Sequence, residues 1–351
     1  MAVKRWKKGM AAALAACVLA SAPAPVMAAS VAEKLIYGAA ALLYVSKYYS
    51  ALDDGAQSQF LGECQQQTGV YGDPAADARV QGIYQQLRST GNIKRDYEIY
   101  VAPDEEINAF MSLGGVMCVN KGALDAFDDA ELAYVMAHEL VHGEKRHSVS
   151  GVKKQVGLTT ALNVYLADDP TIASVLLANI AGNYVSNAVF TKDQEKEADD
   201  IGFDYLVDAG YNPGAAAASM AVLRDRYGES SPTGIRAVLA PGNHPATSDR
   251  VNKNIKRLYE YSGKHVNVKD GQIIVNGKKA FAGVALSGYT GEERTYLAAG
   301  RLAKLYHDNQ ITPASYDGSD IVCGGTSIYT VSAGEDGAAM AAALNEGIAK
   351  S

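Results

Sequence analysis

The sequence predicts an α+β protein: a mainly helical domain with a small β-sheet over residues 29–261, then a small α/β domain over residues 262–351. Three observations carry this. Helical periodicities recur from Pro74 to Tyr261, and two segments, "DYEIYVAPDEE" and "INAFMSLGGVMCVNKG", interrupt them and read as strands. Near Ser262 the composition changes to short alternating runs punctuated by Asp270-Gly271 and Asn276-Gly277, two hairpin signals.

Residues 1–28 read as a signal peptide. Lys4, Arg5, Lys7 and Lys8 precede an Ala/Leu/Val stretch from Gly9 to Ala22, and "APVMAAS" has the small residues that suit cleavage after Ala28. Two other readings stay open: "LAAC" fits lipoprotein processing with anchoring at Cys17, and the apolar stretch could persist as an anchor. Val18 and Leu19 continue the run past Cys17, which favours plain cleavage. Each reading places the folded part outside the cytoplasm, in the periplasm or cell envelope or secreted.

An apolar, Tyr-rich helix is expected over residues 32–49 and a second from Pro74 to Thr90. After the two strands, with Gly114-Gly115 as the turn between them, a long helix begins near Asp128 or Asp129. Residues 171–190 hold no charge, a length that could span a bilayer, but Asn179, Asn183 and Asn187 form a polar stripe at helical spacing. A helical hairpin outside the membrane is therefore expected, with no transmembrane bundle. A helix in "TKDQEKEADDIGFDYLVDAGYNP", another to Tyr227, a Gly/Ser/Pro loop to Asn243 and an amphipathic helix from Ala246 to Tyr261 complete the first domain. In the second, a helix carrying Ala298, Leu302 and Leu305 follows the hairpins. Strands in "DIVCGG" and "SIYTV" come next, and the spacing of Ser332 and Glu335 predicts a capping box for the last helix.

The 351 residues carry a formal charge of −7, and removal of residues 1–28, with four basic and no acidic side chains, makes it −11. An acidic chain of this kind excludes nucleic acid and anionic lipid as bulk partners. Cys64, Cys118 and Cys323 remain, enough for one bridge and too few for a disulfide scaffold. Cys118 reads as a packed small side chain. Gly-rich phosphate-binding motifs are absent.

The chemistry is concentrated in "YVMAHELVHGEKRH". His138 and His142 are four apart on a helix, so both imidazoles leave one face and can hold one zinc ion, while Glu139 is placed to take a proton from the attacking water. A catalytic zinc needs a third protein ligand. The HExxHxxGxxH arrangement fails, since Lys145 and Ser148 stand where Gly and His are required. His147, about 140° round a continuous helix from His142, reads as a surface side chain. The alternative is a glutamate from a later helix, and "DQEKEADDIG" offers Glu195 and Asp199 on one face, with Glu197 as a surface carboxylate.

With HELVH, the later Glu195-to-Asp199 spacing, "EADDIG" and the downstream "HPATSDR", residues 71–261 resemble metallopeptidase family 48, the group that includes HtpX and the CAAX prenyl endopeptidases. The resemblance implies a zincin-like (gluzincin) catalytic domain with one Zn2+ per chain, held by His138, His142 and Glu195, and Glu139 as general base. It implies that Asp199 orients His138, and that His244 and Arg250 lie near the metal. His244 is expected to gate the zinc's fourth position or to stabilise the oxyanion, and Arg250 to hold that loop or polarise the carbonyl. The strand before the zinc helix is the family's active-site edge, so unfolded polypeptide is expected to add as a strand from Val116 to Val119. The activity implied is peptide hydrolysis in misfolded envelope proteins, with residues 262–351 handling envelope partners. Two rivals are a chaperone-like binding module with a structural or closed zinc site and a processing protease with one substrate.

Overall fold

The structure is a computed structural model that describes residues 53–151, 190–229 and 247–350, together with Leu43, Lys47, Ser50 and Ala51. The signal segment with Cys17, most of the helix expected over residues 32–49, the asparagine stripe and His244 lie outside the described residues.

Helix α1 (Gln57–Thr68) is followed by α2 (Pro74–Ser89). The start of α2 is set locally: the Asp73 side chain accepts from Ala75 N–H, and Pro74 has no N–H to leave unpaired in the first turn. Val80, Ile83, Tyr84 and Leu87 recur at helical spacing and are buried. Strands β1 (Glu98–Ala102), β2 (Ala109–Met111) and β3 (Val116–Asn120) form one sheet in the order β1-β3-β2. Between β2 and β3, Gly114 and Gly115 take φ of 75° and 70°, and a Cβ on Gly114 would lie 2.7 Å from Cδ2 of Phe60, so glycine is required there on both counts.

This strand order corrects one expectation. Strand β3 is central: it pairs in parallel with β1 along its whole length and antiparallel with β2 from Met117 to Val119. Ser112 N–H donates to Val116 O and Asn120 N–H to Asn108 O, extending the second ladder at both ends. The backbone from Val116 to Val119 is already paired on both sides, and no peptide can add along it. The sheet's edge on this side is β2.

After α3 (Lys121–Ala126) comes α4 (Asp129–Glu144), which carries HELVH. Its start is a capping box in which the Asp128 side chain accepts from Ala130 and Glu131 N–H and Glu131 accepts from Asp128 N–H. From Leu132 to Gly143 every residue except Val135 is buried, the signature of a helix at the centre of its domain. Helix α5 (Lys192–Asp208) crosses it at Gly202, where a Cβ would come within 3.2 Å of the His138 backbone. Helices α6 (Ala215–Tyr227) and α7 (Thr247–Tyr261) complete the layer around α4.

Beyond α7, β4 (Val266–Lys269), β5 (Gln272–Val275) and β6 (Lys278–Lys279) form an antiparallel meander. Its two turns fall at Asp270-Gly271 and Asn276-Gly277, all four residues having positive φ as tight hairpin turns demand. Helix α8 (Gly291–His307) leads to a second meander of β7 (Ser315–Tyr316), β8 (Asp320–Cys323) and β9 (Thr326–Thr330), then to α9 (Gly337–Ile348). The side chain of Asp336, not Ser332, caps α9. Ser332 and Glu335 instead close a turn before it, Ser332 N–H donating to the Glu335 carboxylate. Helix α8 packs on α6 through glycines, since a Cβ on Gly300 would lie 2.3 Å from Gly214 N. Most of the buried apolar residues accordingly form one cluster that runs from α2 to α9. Among the described residues no helix is long and apolar enough to cross a membrane.

The starts of α4 and α8 meet in a pair of buried carboxyls. Glu131 and Glu293, each the acidic member of its helix's capping box, interact with one another, with Asp128, Asp225 and Tyr289 as the other titratable groups around them. Burial first, and then the neighbouring carboxylates, push both above the ordinary range. The folded protein therefore keeps a proton that the unfolded chain has released. Stability is full below the ordinary carboxylate range and is lost as pH rises through the raised values. Melting temperature should fall between about pH 5 and 8, and Glu131→Gln, neutral and still able to accept from Asp128 N–H, should flatten that slope in thermal melts. An unchanged slope would mean that the pair holds no extra proton.

Candidate active site

Two helices build the site because their spacing and their glycine contact agree. On α4, His138 and His142 share a face; on α5, Glu195 and Asp199 share another, and the close crossing at Gly202 sets those faces against each other. All four side chains are buried. One nitrogen from each histidine and one oxygen of Glu195 lie within 4.8 Å of one another. The two Nε2 atoms are 3.1 Å apart, and each is 3.6 Å from a Glu195 oxygen.

The other ring nitrogens are taken up. His138 Nδ1 lies 3.0 Å from Asp199 Oδ1, a contact that favours the proton on Nδ1 and leaves the Nε2 lone pair facing Glu195. Three electron-pair donors thus converge in a buried space that only a cation or protons can reconcile. Two imidazoles and a carboxylate are a donor set for zinc, and the residues fit a metal ion. The electrostatics agree: burial works against a charge on His138, yet hydrogen bonds to Asp199 and Glu195 push it up to about 9, whereas burial holds His142 well below its ordinary value.

Burial would raise Asp199, but the Arg250 guanidinium and His138 hold it well below the usual carboxylate range. Arg250, itself buried, donates from Nε and Nη2 to the two Asp199 oxygens at 2.9 and 2.6 Å. Arg250 thus backs the Asp199 carboxylate beside His138 and also lines the cavity next to Glu139. Tyr134 donates to Asp199 and receives a hydrogen bond from Asn254, fixing the carboxylate from a third side.

Glu139 projects toward β2, and its Oε2 accepts from Met111 N–H at 3.0 Å. Burial pushes its carboxyl up to about 7, against the pull of His138 and the Met111 N–H. An apolar cavity lies alongside, lined by Phe127, Val135, Met220 and Leu223 together with Ala109, His138 and Glu139.

His147 departs from the expectation of a surface side chain. Helix α4 ends at Glu144, and Arg146 at φ 54° turns the chain back, so the angle counted along a continuous helix does not apply. His147 is 4% exposed, with Nδ1 2.9 Å from His142 Nδ1 and Nε2 3.2 Å from Glu197 Oε2. Phe190 stacks on His142 at 3.8 Å. Neither contact has a local signal in the sequence beyond the third histidine itself.

A model of peptidase family M48 matches residues 74–257. Over 202 residues, 55% of this chain and 41% of the relative, it is 28% identical to a putative beta-barrel assembly-enhancing protease of Vibrio cholerae. The beta-barrel assembly-enhancing protease of Escherichia coli K12 is 28% identical over 45% of this chain and 35% of its own length. Metalloprotease LoiP of the same strain is 33% identical over 36% of this chain and 51% of its own. The chain spans less than half the length of the first two relatives.

Proposed function

This chain belongs to peptidase family M48, and on that premise we propose that it is a zinc-dependent endopeptidase, with one zinc per chain held by His138, His142 and Glu195 in a gluzincin-type site. The observation that carries the reading is the convergence of those three ligand atoms within 4.8 Å, beside a buried Glu139 that is not one of them. Bound there, zinc supplies Lewis acidity toward water and the scissile carbonyl. Glu139 takes the proton from the attacking water and passes it to the leaving amine, from a buried position held by the Met111 N–H. Asp199, held by Arg250 and Tyr134, fixes the tautomer of His138.

Substrate pairs with β2. In the antiparallel ladder Asn108 O and Ser112 N–H point to β3, so the alternation turns the groups of Ala109 and Met111 the other way. Met111 N–H meets Glu139, and Ala109 lines the apolar cavity. An extended peptide bound through the Ala109 backbone lies against Glu139, with an apolar side chain in the cavity. Backbone pairing reads no sequence, which favours unfolded polypeptide.

Two of these relatives are named for β-barrel assembly, and together with the signal-like residues 1–28 this supports action on misfolded proteins of the cell envelope, with residues 262–351 engaging partners there. The test is cleavage of an unfolded model protein by the purified chain, abolished by a chelator and restored by zinc. Cleavage that persists without metal, or none in its presence, rejects the proposal.

A further inference from the structure

The geometry points to His147 as a positioning residue for the metal: we propose that it fixes the tautomer and ring orientation of His142 through a relay from Glu197, the counterpart of what Asp199 does for His138. The inference rests on the zinc reading above and assigns a role to a histidine outside the HExxH pattern.

The proton positions follow from the contacts. His142 Nε2 faces His138 Nε2 at 3.1 Å and Glu195 at 3.6 Å, so it is the ligating atom and its Nδ1 carries the proton. The only ring partner of that Nδ1 among the described contacts is His147 Nδ1 at 2.9 Å. Two N–H groups cannot face each other at that distance, so His147 Nδ1 accepts and its proton sits on Nε2. His147 Nε2–H then meets Glu197 Oε2 at 3.2 Å, where a carboxylate can only accept. Every donor in the chain Glu197, His147, His142 has an acceptor, and the His142 Nε2 lone pair is directed at the site.

The two halves of the site differ in construction. Asp199 reaches His138 directly, and both its oxygens are held by Arg250. On the Nδ1 side of His142 no carboxylate is in direct contact among the described residues; Glu197 of α5, paired with Lys145 at 3.1 Å, is reached through His147. The left-handed Arg146 makes this possible by returning the chain after α4, and the His147 carbonyl lies 3.5 Å from Gln194 Nε2 of the α5 capping box. Phe190 stacked on His142 limits ring rotation, while His147 settles which nitrogen is protonated.

Zinc affinity, read by competition with a chelating dye, tests this on the full chain beside wild type. His147→Leu should weaken binding about 10–100-fold, the usual cost of losing an outer partner of a ligand, and His147→Asn, whose Oδ1 can still accept, should recover most of it. Long-range nitrogen–proton spectra of histidine-labelled wild type should show His147 protonated at Nε2 and His142 at Nδ1. Wild-type affinity in His147→Leu, or a His147 protonated at Nδ1, overturns the relay and leaves the zinc reading intact. Failure of wild type to bind zinc overturns the zinc reading itself. Equal losses in the Leu and Asn variants would make His147 a packing residue and also reject the proposal.

Discussion

Glu139→Gln is expected to lower peptide hydrolysis by about 10²–10⁴-fold while zinc remains bound, the range that a positioned proton carrier contributes. The argument for a selective effect is geometric. Glu139 is buried, and the bond that holds it is the Met111 N–H donating to its Oε2. A glutamine oxygen accepts that same bond, so the side chain stays in place against β2. What it cannot do is take a proton from water and return it to an amine. His138, His142 and Glu195 keep their positions, since Glu139 is not in the group of converging ligand atoms. Burial, the main reason the Glu139 carboxyl is pushed up to about 7, acts on the ionised form alone, and the neutral amide should leave the fold as stable as before or slightly more so. Peptide turnover and elemental analysis on one preparation decide it: turnover within tenfold of wild type, with full zinc, would remove Glu139 as the base.

What could be read from the chain without its fold was what depends on near neighbours. The Asp128 cap of α4, the two Gly-containing hairpins, and the shared faces of His138 with His142 and of Glu195 with Asp199 are all set within five residues. What failed depended on distant partners or on one backbone angle. Strand order β1-β3-β2 joins segments by a parallel pairing that no local pattern encodes, so the sequence alone does not distinguish β3 from the edge that β2 occupies. A helix continued past Glu144 would carry His147 to the surface, but α4 ends there and a single left-handed residue, Arg146, turns the chain back. Ser332 and Glu335 do bond as their spacing suggests, but they close a turn, and Asp336 four residues on caps the helix. The change in composition near Ser262 is real, yet packing continues across it, because Gly214 and Gly300 let α6 and α8 touch backbone to backbone. Arg250 could be placed near the site by its motif, but its pairing with Asp199 needed α5 and α7 in hand.

Glu195→Ala should be the most damaging change to metal binding, beyond the roughly 10–100-fold that loss of an outer partner such as His147 costs. Glu195 stands in the first turn of α5, where the helix dipole favours a negative charge, and the Thr191–Gln194 capping box fixes the start of that turn. It is the only anionic member of the three converging groups and the only one from outside α4. Without it two neutral imidazoles on one helix remain, too few to hold zinc in a buried site. The fold should survive, because Asp199 still pairs with Arg250 and His138, and Gly202 still sets the helix crossing. Two measurements check this independently of catalysis. In a competition titration Glu195→Ala should fall below His147→Leu, and Glu197→Ala, which touches only the outer end of the relay, should lose least. In thermal melts, zinc at about 100 times the wild-type dissociation constant should stabilise wild type by about 2.7 kcal/mol and leave the Glu195 variant unmoved, since stabilisation follows occupancy of the folded state. If Glu197→Ala is the variant that loses its zinc while Glu195→Ala keeps it, the ligand from α5 has been assigned to the wrong carboxylate, and the tautomer chain through His147 falls with it.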